Sequence, residues 1–162
     1  MKKTKWYNHD NIIDIVKAAG YKTSWVSNQN INGEFGNAIS VFANRANYLF
    51  FNFKGGSSDL FDGYYDEDLL SDKVTPIIDS DKSFIVYHLS GTHNSYENRY
   101  PKPKFNHFHS DNYPNNKYNP RNEANYDNAI LYNDFVISKI INKYKNDDSL
   151  IIYPTMPKKY TT

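Results

Sequence analysis

The sequence contains no cysteine among its 162 residues, which excludes disulfides, thiolate metal sites and cysteine nucleophiles. It also lacks an excess of either charge. Its 19 basic and 18 acidic residues give a formal net charge of +1, which argues against a general nucleic-acid binder. No stretch reaches the ~18 consecutive apolar residues of a membrane span. The basic start, Met1 to Lys5, is not followed by the apolar run of a signal peptide.

Two residue types are abundant, with 22 asparagines and 15 tyrosines. The simplest interpretation of both is the codon usage of an AT-rich genome. The length fits one domain of ordinary size or a piece of a larger one, because a chain of about 150 residues buries roughly two-thirds of its unfolded surface.

The hydrophobic pattern alternates between helical and extended segments. Helices are predicted over 8–20, with Asn8 or Asp10 as the N-cap, and over 33–47, 65–78 and 125–145. Strands are predicted over 21–27, 48–53, 83–89 and 149–153. This order predicts an α/β fold with a largely parallel sheet. The Pro- and Asn-rich stretch 91–122 is predicted to be a long loop, which is typical of functional or disordered segments.

His93 is the best candidate for a site residue. Ligands of open α/β sheets bind beyond the carboxyl ends of the strands, and His93 follows the buried strand 83–89. Gly91 permits a sharp turn of the backbone there. A neutral imidazole in this place can bind zinc or an anionic oxygen. Spacing alone favours the alternative, a loop histidine that hydrogen-bonds to backbone.

The other titratable candidates carry weaker signals. His88 lies inside a predicted strand, where a sheet-face role is expected. His107 and His109 are expected to be solvated loop residues. Asp127 and Asp134 lie two helical turns apart and can pair on a metal, although capping and solvent contact are the simpler expectation. The acidic run 66–68 suits a helix N-terminus, and the loop 54–58 lacks the spacing of a phosphate-binding glycine motif.

Several motifs together resemble the phosphoethanolamine transferases, which belong to the sulfatase-like branch of the alkaline phosphatase superfamily. They are Phe84-Ile-Val-Tyr-His-Leu-Ser-Gly-Thr-His93, Tyr96 with Arg99-Tyr-Pro101, Asn125-Tyr-Asp-Asn-Ala-Ile-Leu-Tyr-Asn-Asp134, Ala19-Gly-Tyr-Lys-Thr-Ser-Trp-Val-Ser-Asn-Gln29 and Tyr65-Asp-Glu-Asp-Leu-Leu70. They occur in the family's order, and the resemblance covers roughly residues 6 to 153.

The resemblance implies part of a three-layer alkaline phosphatase/sulfatase-like fold, with a mostly parallel sheet and flanking helices. It implies inner-membrane enzymes with a periplasmic catalytic domain that hold zinc. A threonine nucleophile takes phosphoethanolamine from phosphatidylethanolamine and passes it to lipid A, the lipopolysaccharide core or another glycan. Gly91, Thr92 and His93 match the family's substrate-binding Gly-x-His, and the resemblance gives His93 a contact with the substrate or with a second zinc.

The departures from the family pattern suggest a fragment. The nucleophile, the first zinc carboxylate and the membrane helices are expected upstream of residue 1. Residues 1–153 are thus interpreted as the central part of the catalytic domain. An Asp-His metal pair is expected after the strand matching 149–153, where the tail 154–162 reads Pro-Thr-Met-Pro-Lys-Lys-Tyr-Thr-Thr. Codons that encode this tail can also encode the family-like peptide Ser-Asp-His-Ala-Glu-Glu-Val-Tyr-Asn when they are read one base out of phase. The hypothesis for residues 154–162 is therefore a frameshift.

Three functional interpretations follow. The first is a transferase fragment that is inactive alone and does not bind zinc with full ligation. The second is a non-catalytic remnant that binds a metal or a phosphate ester through His93 and the loop histidines, His107 and His109. The third is a non-functional product that aggregates through exposed apolar faces. Without an export or membrane segment, the chain expressed alone is expected in the cytoplasm.

Overall fold

A three-stranded parallel sheet forms the centre of the fold. The computed structural model describes residues 9–29, 36–52, 64–76, 81–115 and 119–154. Within them, β1 is Lys22–Ser27, β2 is Tyr48–Phe51 and β3 is Ser83–His88. The strand order is β2-β1-β3, and both pairings are parallel. The predicted parallel sheet is therefore confirmed, with strand boundaries within two residues of the prediction.

The first helix, α1, spans Ile12–Ala18 and begins with a capping box around Asn11. The Asn11 side chain accepts a hydrogen bond from a backbone N–H of the first turn, and the Asp14 carboxylate accepts one from the Asn11 backbone N–H, at 2.9 Å. Such a pair satisfies two N–H groups that the first turn would leave unpaired. The predicted cap at Asp10 is wrong, and the alternative, Asn8, lies outside the described residues.

Helices α1 and α2, the latter Gly36–Ala43, cover one face of the sheet. On that face Trp25 of β1 packs with Ile13 and Ala43, and half-buried side chains of β3 join the cluster. The helix predicted over 33–47 is confirmed in its middle, and residues 33–35 lie outside the described part of the chain.

The opposite face is covered first by a short 3₁₀-helix, Asp66–Leu70. Its Leu69 packs with Val26 of β1 and with Val74. The helix predicted over 65–78 is wrong apart from these five residues, because the chain leaves helical geometry at Leu70, well before the proline at 76 that such a helix does not tolerate. Residues 77–78 lie outside the described residues.

The long helix α4, Pro120–Tyr144, forms the rest of that face. Asn119 caps it by accepting a hydrogen bond from the Asn122 backbone N–H, at 3.1 Å. The helix starts five residues before the predicted start. The largest core cluster of the described residues combines Tyr100 of the preceding connection with four buried side chains of α4, Ala129, Tyr132, Val136 and Ile140. Helices thus lie on both faces of the parallel sheet, which confirms the predicted three-layer fold. Across the described ranges, no helix combines the length and apolar character that crossing a membrane requires.

The connection from β3 to α4 is more ordered than the predicted long loop. It contains two 3₁₀-helices, Tyr96–Asn98 and Ser110–Asn112, and the short helix α3, Lys102–Phe105. Both 3₁₀-helices and α3 pack against α4. Contact with α4 therefore orders a segment that its composition alone predicts to be irregular.

The predicted last strand, 149–153, is wrong. The described residues 149–154 are irregular, and they pair with none of the three strands. Leu150 is 85% exposed and Ile152 is 78% exposed. An apolar segment forms a strand only when a neighbouring strand supplies hydrogen bonds and its side chains are covered, and neither condition is met here.

Candidate functional site

The carboxyl ends of β1 and β3 are tied together by hydrogen bonds beyond the sheet itself. The backbone N–H of Asn28 donates to the carbonyl of His88 at 3.0 Å, and the Ser90 hydroxyl donates to the carbonyl of Asn28 at 3.1 Å. The amide of Gln29 donates to the carbonyl of Leu89 at 2.6 Å. The two strands therefore leave the sheet side by side, at the edge where parallel sheets bind ligands.

A buried carboxylate, Asp66, lies at this edge and is only 4% exposed. Its Oδ1 accepts hydrogen bonds from the side-chain amide of Asn28 at 2.8 Å and from the backbone N–H of Ser90 at 2.9 Å. Its Oδ2 accepts one from the backbone N–H of Gly91 at 2.7 Å. Burial raises the pKa of Asp66, and these hydrogen bonds oppose that rise because they favour the charged form.

The network also reaches the end of β2. The amide of Asn52 donates to the Oδ1 atom of Asn28 at 3.0 Å, while Asn28 donates to Asp66. One chain of hydrogen bonds therefore joins residues that follow all three strands. Such a buried polar network is rigid only when its members are satisfied, and these hydrogen bonds hold both polar atoms of the Asn28 side chain.

The loop that leaves β3 carries the predicted site residues. Gly91 has φ +53°, a left-handed conformation that favours glycine, so the predicted sharp turn is confirmed. The backbone N–H of His93 closes the turn by donating to the carbonyl of Ser90 at 3.2 Å. Thr92 is half-buried and His93 is exposed. The turn thus presents one hydroxyl and one imidazole at the carboxyl end of the sheet.

Thr92 also lines a cavity of about 280 Å³ between this loop and α4. Asn133 and Asp134 of α4 contribute polar side chains to the cavity wall. The remaining lining residues are Tyr126, Ile130, Ile137 and Tyr153. The predicted site loop therefore borders a concave surface, which is the shape that a small-molecule site requires.

His88 occupies the sheet face that was expected for it. Its Nδ1 atom lies 3.0 Å from the hydroxyl of Ser27 on the neighbouring strand, and its ring lies 5.7 Å from the Trp25 ring. Burial lowers the pKa of His88 because the charged imidazole loses solvation.

Of the remaining candidates, Asp134 borders the site loop across the cavity that Thr92 also lines. His107 and His109 are exposed, as predicted. Asp127 accepts a hydrogen bond from the hydroxyl of Tyr113, and Asp134 is exposed on α4. In the part of the chain that the structure describes, no three His, Asp or Glu side chains converge as metal ligands.

The zinc that the family resemblance implies therefore does not fit the described residues alone. Protein zinc sites use three or four ligands, and His93 belongs to no group of three such ligands among those residues. His93 remains a single imidazole at the sheet edge, and its role as a zinc ligand stays a prediction.

Sequence reasoning missed Asp66 as a site residue, because it treated the run 66–68 only as a helix N-terminus. The residue's partners lie 38, 24 and 25 positions away in sequence, at Asn28, Ser90 and Gly91. No local spacing signals such a contact, since the fold alone brings the 3₁₀-helix beneath the strand ends. The family-like string that starts at Tyr65 was the available hint.

Comparisons with known proteins point to one family. The family model described as "Sulfatase" matches residues 2–154. Phosphoethanolamine transferase EptC of Escherichia coli K12 is 29% identical over 150 residues, which cover 88% of this chain and 26% of EptC. Phosphoethanolamine transferase CptA of Salmonella typhimurium is 32% identical over 103 residues, which cover 62% of this chain and 18% of CptA. The chain thus spans about a quarter or less of the length of these relatives.

A solved structure gives the same result. The crystal structure of the C-terminal periplasmic domain of EcEptC from Escherichia coli superimposes with a TM-score of 0.64 and 26% sequence identity. The match covers 85% of this chain and 38% of that domain. A second structure of the same domain, in complex with zinc, gives a TM-score of 0.59. With the family model matching almost the whole sequence, the chain belongs to the sulfatase family, and its relatives there are phosphoethanolamine transferases.

Proposed function

We propose that this chain is part of the catalytic domain of a phosphoethanolamine transferase and that Gly91, Thr92 and His93 contact the phosphoethanolamine group. The observation that carries the proposal is the loop after β3. It turns sharply at Gly91, is held by a buried carboxylate and presents Thr92 and His93 at the carboxyl end of a parallel sheet. In α/β folds this edge is where phosphate-bearing ligands bind.

The two side chains suit a phosphoester. A histidine N–H and a threonine hydroxyl both donate hydrogen bonds to phosphoryl oxygens, and the bond becomes stronger when the imidazole is charged. The left-handed turn at Gly91 directs the backbone so that residues 92 and 93 lie at the surface of the site. These residues would bind and orient the group, while the covalent step requires a nucleophile.

The donor in the proposed reaction is phosphatidylethanolamine, and the acceptor is lipid A, the lipopolysaccharide core or another glycan. The names of EptC and CptA support phosphoethanolamine transfer, and the solved EcEptC domain is periplasmic. We place the activity of the whole protein on that side of the membrane. The nucleophilic threonine and the main zinc ligands would come from residues outside this chain, so the chain alone is proposed to be inactive.

The experiment begins with sequencing of the DNA on both sides of the codons for residues 1–162. We expect membrane helices and a threonine nucleophile upstream, and an Asp-His-Ala-Glu-Glu peptide in another frame under codons 154–162. The protein encoded by the gene after repair of the frameshift should transfer radiolabelled phosphoethanolamine from phosphatidylethanolamine to lipopolysaccharide. The 162-residue chain should not.

His93→Ala in the repaired protein should abolish most of that transfer. His109→Ala provides the matched control, because His109 is an exposed histidine on the connection to α4 and is not part of the site loop. A repaired protein that keeps full activity with His93→Ala would contradict the proposed role of the loop. Flanking DNA that encodes no transferase segments would overturn the fragment interpretation and favour a binding remnant.

A further inference from the structure

We propose that Asp66 is the positioning residue of this site, because its carboxylate fixes the backbone of Ser90 and Gly91 and so sets the place of Thr92 and His93. The positioning of the loop depends on the geometry of these hydrogen bonds alone. Only its consequence for ligand binding rests on the proposed function.

The 3₁₀-helix that carries the Asp66 carboxylate is anchored at two places. Leu69, three residues along the same 3₁₀-helix, is fully buried against β1. The backbone N–H of Glu67 donates to the hydroxyl of Tyr132 on α4 at 3.0 Å. Because the helix is anchored to both the sheet and α4, Asp66 is a fixed point to which the loop after β3 attaches.

The loop depends on that fixed point at its turn. Gly91 adopts φ +53° directly where its N–H meets the Oδ2 atom of Asp66, at 2.7 Å. Ser90 has a second attachment, through its hydroxyl to the carbonyl of Asn28. For the Gly91 N–H, the structure shows the carboxylate as its acceptor, so the direction in which Thr92 and His93 leave the sheet follows from this bond.

The position requires a carboxylate rather than an amide. Both oxygens of Asp66 accept hydrogen bonds, Oδ1 from two donors and Oδ2 from one. An asparagine of the same shape has one acceptor and one donating NH₂ group. In either orientation, its NH₂ group would face a donor, either Gly91 N–H or the pair from Asn28 and Ser90. The orientation that loses one bond rather than two turns the NH₂ group toward the Gly91 N–H, so Asp66→Asn keeps the volume and removes the attachment of Gly91.

The test uses the full chain and measures amide hydrogen exchange by NMR. Asp66→Asn should speed exchange at the Gly91 amide by at least about tenfold and shift the Thr92 and His93 resonances, while amides of β1 keep their protection. The control is Asp68→Asn, the same change at an exposed carboxylate of the same 3₁₀-helix, which takes part in none of the three bonds at Asp66. It should leave Gly91 exchange within about twofold of wild type.

A measurement on the unmodified chain tests the proposal even if Asp66→Asn does not fold. A scalar coupling across the hydrogen bond, between the Gly91 amide nitrogen and the Asp66 carboxylate carbon, should be detectable. Its absence, or equal Gly91 exchange in Asp66→Asn and wild type, would overturn the proposal.

A binding measurement with phosphoethanolamine distinguishes failure of this proposal from failure of the proposed function. If the wild-type chain binds phosphoethanolamine, Asp66→Asn should weaken its affinity by about tenfold or more, and Asp68→Asn should not. Equal affinity of Asp66→Asn and wild type would refute the functional part of the proposal. If the wild-type chain does not bind phosphoethanolamine, the role assigned to His93 fails, whereas the exchange and coupling data still decide whether Asp66 positions the loop.

Discussion

The buried amide of Asn128 gives the strongest single prediction about stability. Asn128 lies on α4 and is fully buried. Its Oδ1 accepts hydrogen bonds from the backbone N–H groups of His107 and Phe108, at 2.8 and 2.9 Å, and its Nδ2 donates to the carbonyl of Phe108 at 2.9 Å. One side chain thus satisfies three backbone groups of the connection to α4. Asn128→Ala would leave all three without that partner.

The expected loss follows from those three bonds. Each contributes a net ~0.5–1.5 kcal/mol, so together they contribute about 1.5–4.5 kcal/mol to the free energy of unfolding. Alanine is the better helix former and returns about 0.5 kcal/mol on α4. The net destabilisation by Asn128→Ala is therefore about 1–4 kcal/mol.

Urea unfolding followed by far-UV circular dichroism measures this loss. With a slope of about 2 kcal/mol per molar urea, the midpoint should fall by about 0.5–2 M. Asn142→Ala is the matched control, because Asn142 is exposed on the same helix and its replacement gains only the helix propensity. Its midpoint should stay constant or rise slightly. Equal midpoints for the two variants would refute the assigned role of the Asn128 network.

Three further predictions concern other parts of the fold. Tyr87→Phe removes the hydrogen bond between the hydroxyls of Tyr87 and Tyr144, whose oxygens lie 2.7 Å apart. It should lower the free energy of unfolding, measured with urea, by about 1 kcal/mol. Adding Tyr144→Phe should cause no further loss, because the two hydroxyls form one bond. Burial lowers the pKa of His88 in the folded chain below its usual 6.5, so the unfolded state binds the proton first. The contribution of His88 to stability should therefore be complete above about pH 6.5 and be lost as the pH decreases below that value. His88→Gln should flatten the dependence of the unfolding free energy on pH. An unchanged pH dependence in His88→Gln would contradict this role of His88. Leu150→Lys should leave the unfolding midpoint unchanged, since Leu150 is 85% exposed, and should lower aggregation measured by light scattering; a large loss of stability would show that residue 150 is packed.

The sequence was sufficient for the parts of the fold that local pattern determines. β-Branched and aromatic residues locate β1, and a nearly continuous apolar run locates β3. Helical spacing of apolar residues locates α4. The segment 149–153 has the same apolar character yet forms no strand, since a strand also needs a neighbour to pair with, which local pattern does not encode.

The candidate site was predictable in part for the same reason. Gly91 and His93 follow a recognisable strand, so their place at the sheet edge could be expected. Asp66 could not be found in this way, because its contacts with Ser90 and Gly91 depend on how the 3₁₀-helix packs under the strand ends. Long-range hydrogen bonds of a buried carboxylate leave no periodic trace in a sequence.

The loop of Gly91, Thr92 and His93 is proposed to bind the phosphoethanolamine group. The most direct measurement is an NMR titration of the ¹⁵N-labelled chain with phosphoethanolamine, with ethanolamine as the probe that lacks the phosphate. We expect saturable shifts at the amides of residues 91–93 with phosphoethanolamine, much smaller shifts with ethanolamine, and loss of the response in His93→Ala. Shifts confined to other regions, or a full response in His93→Ala, would contradict this role of the loop.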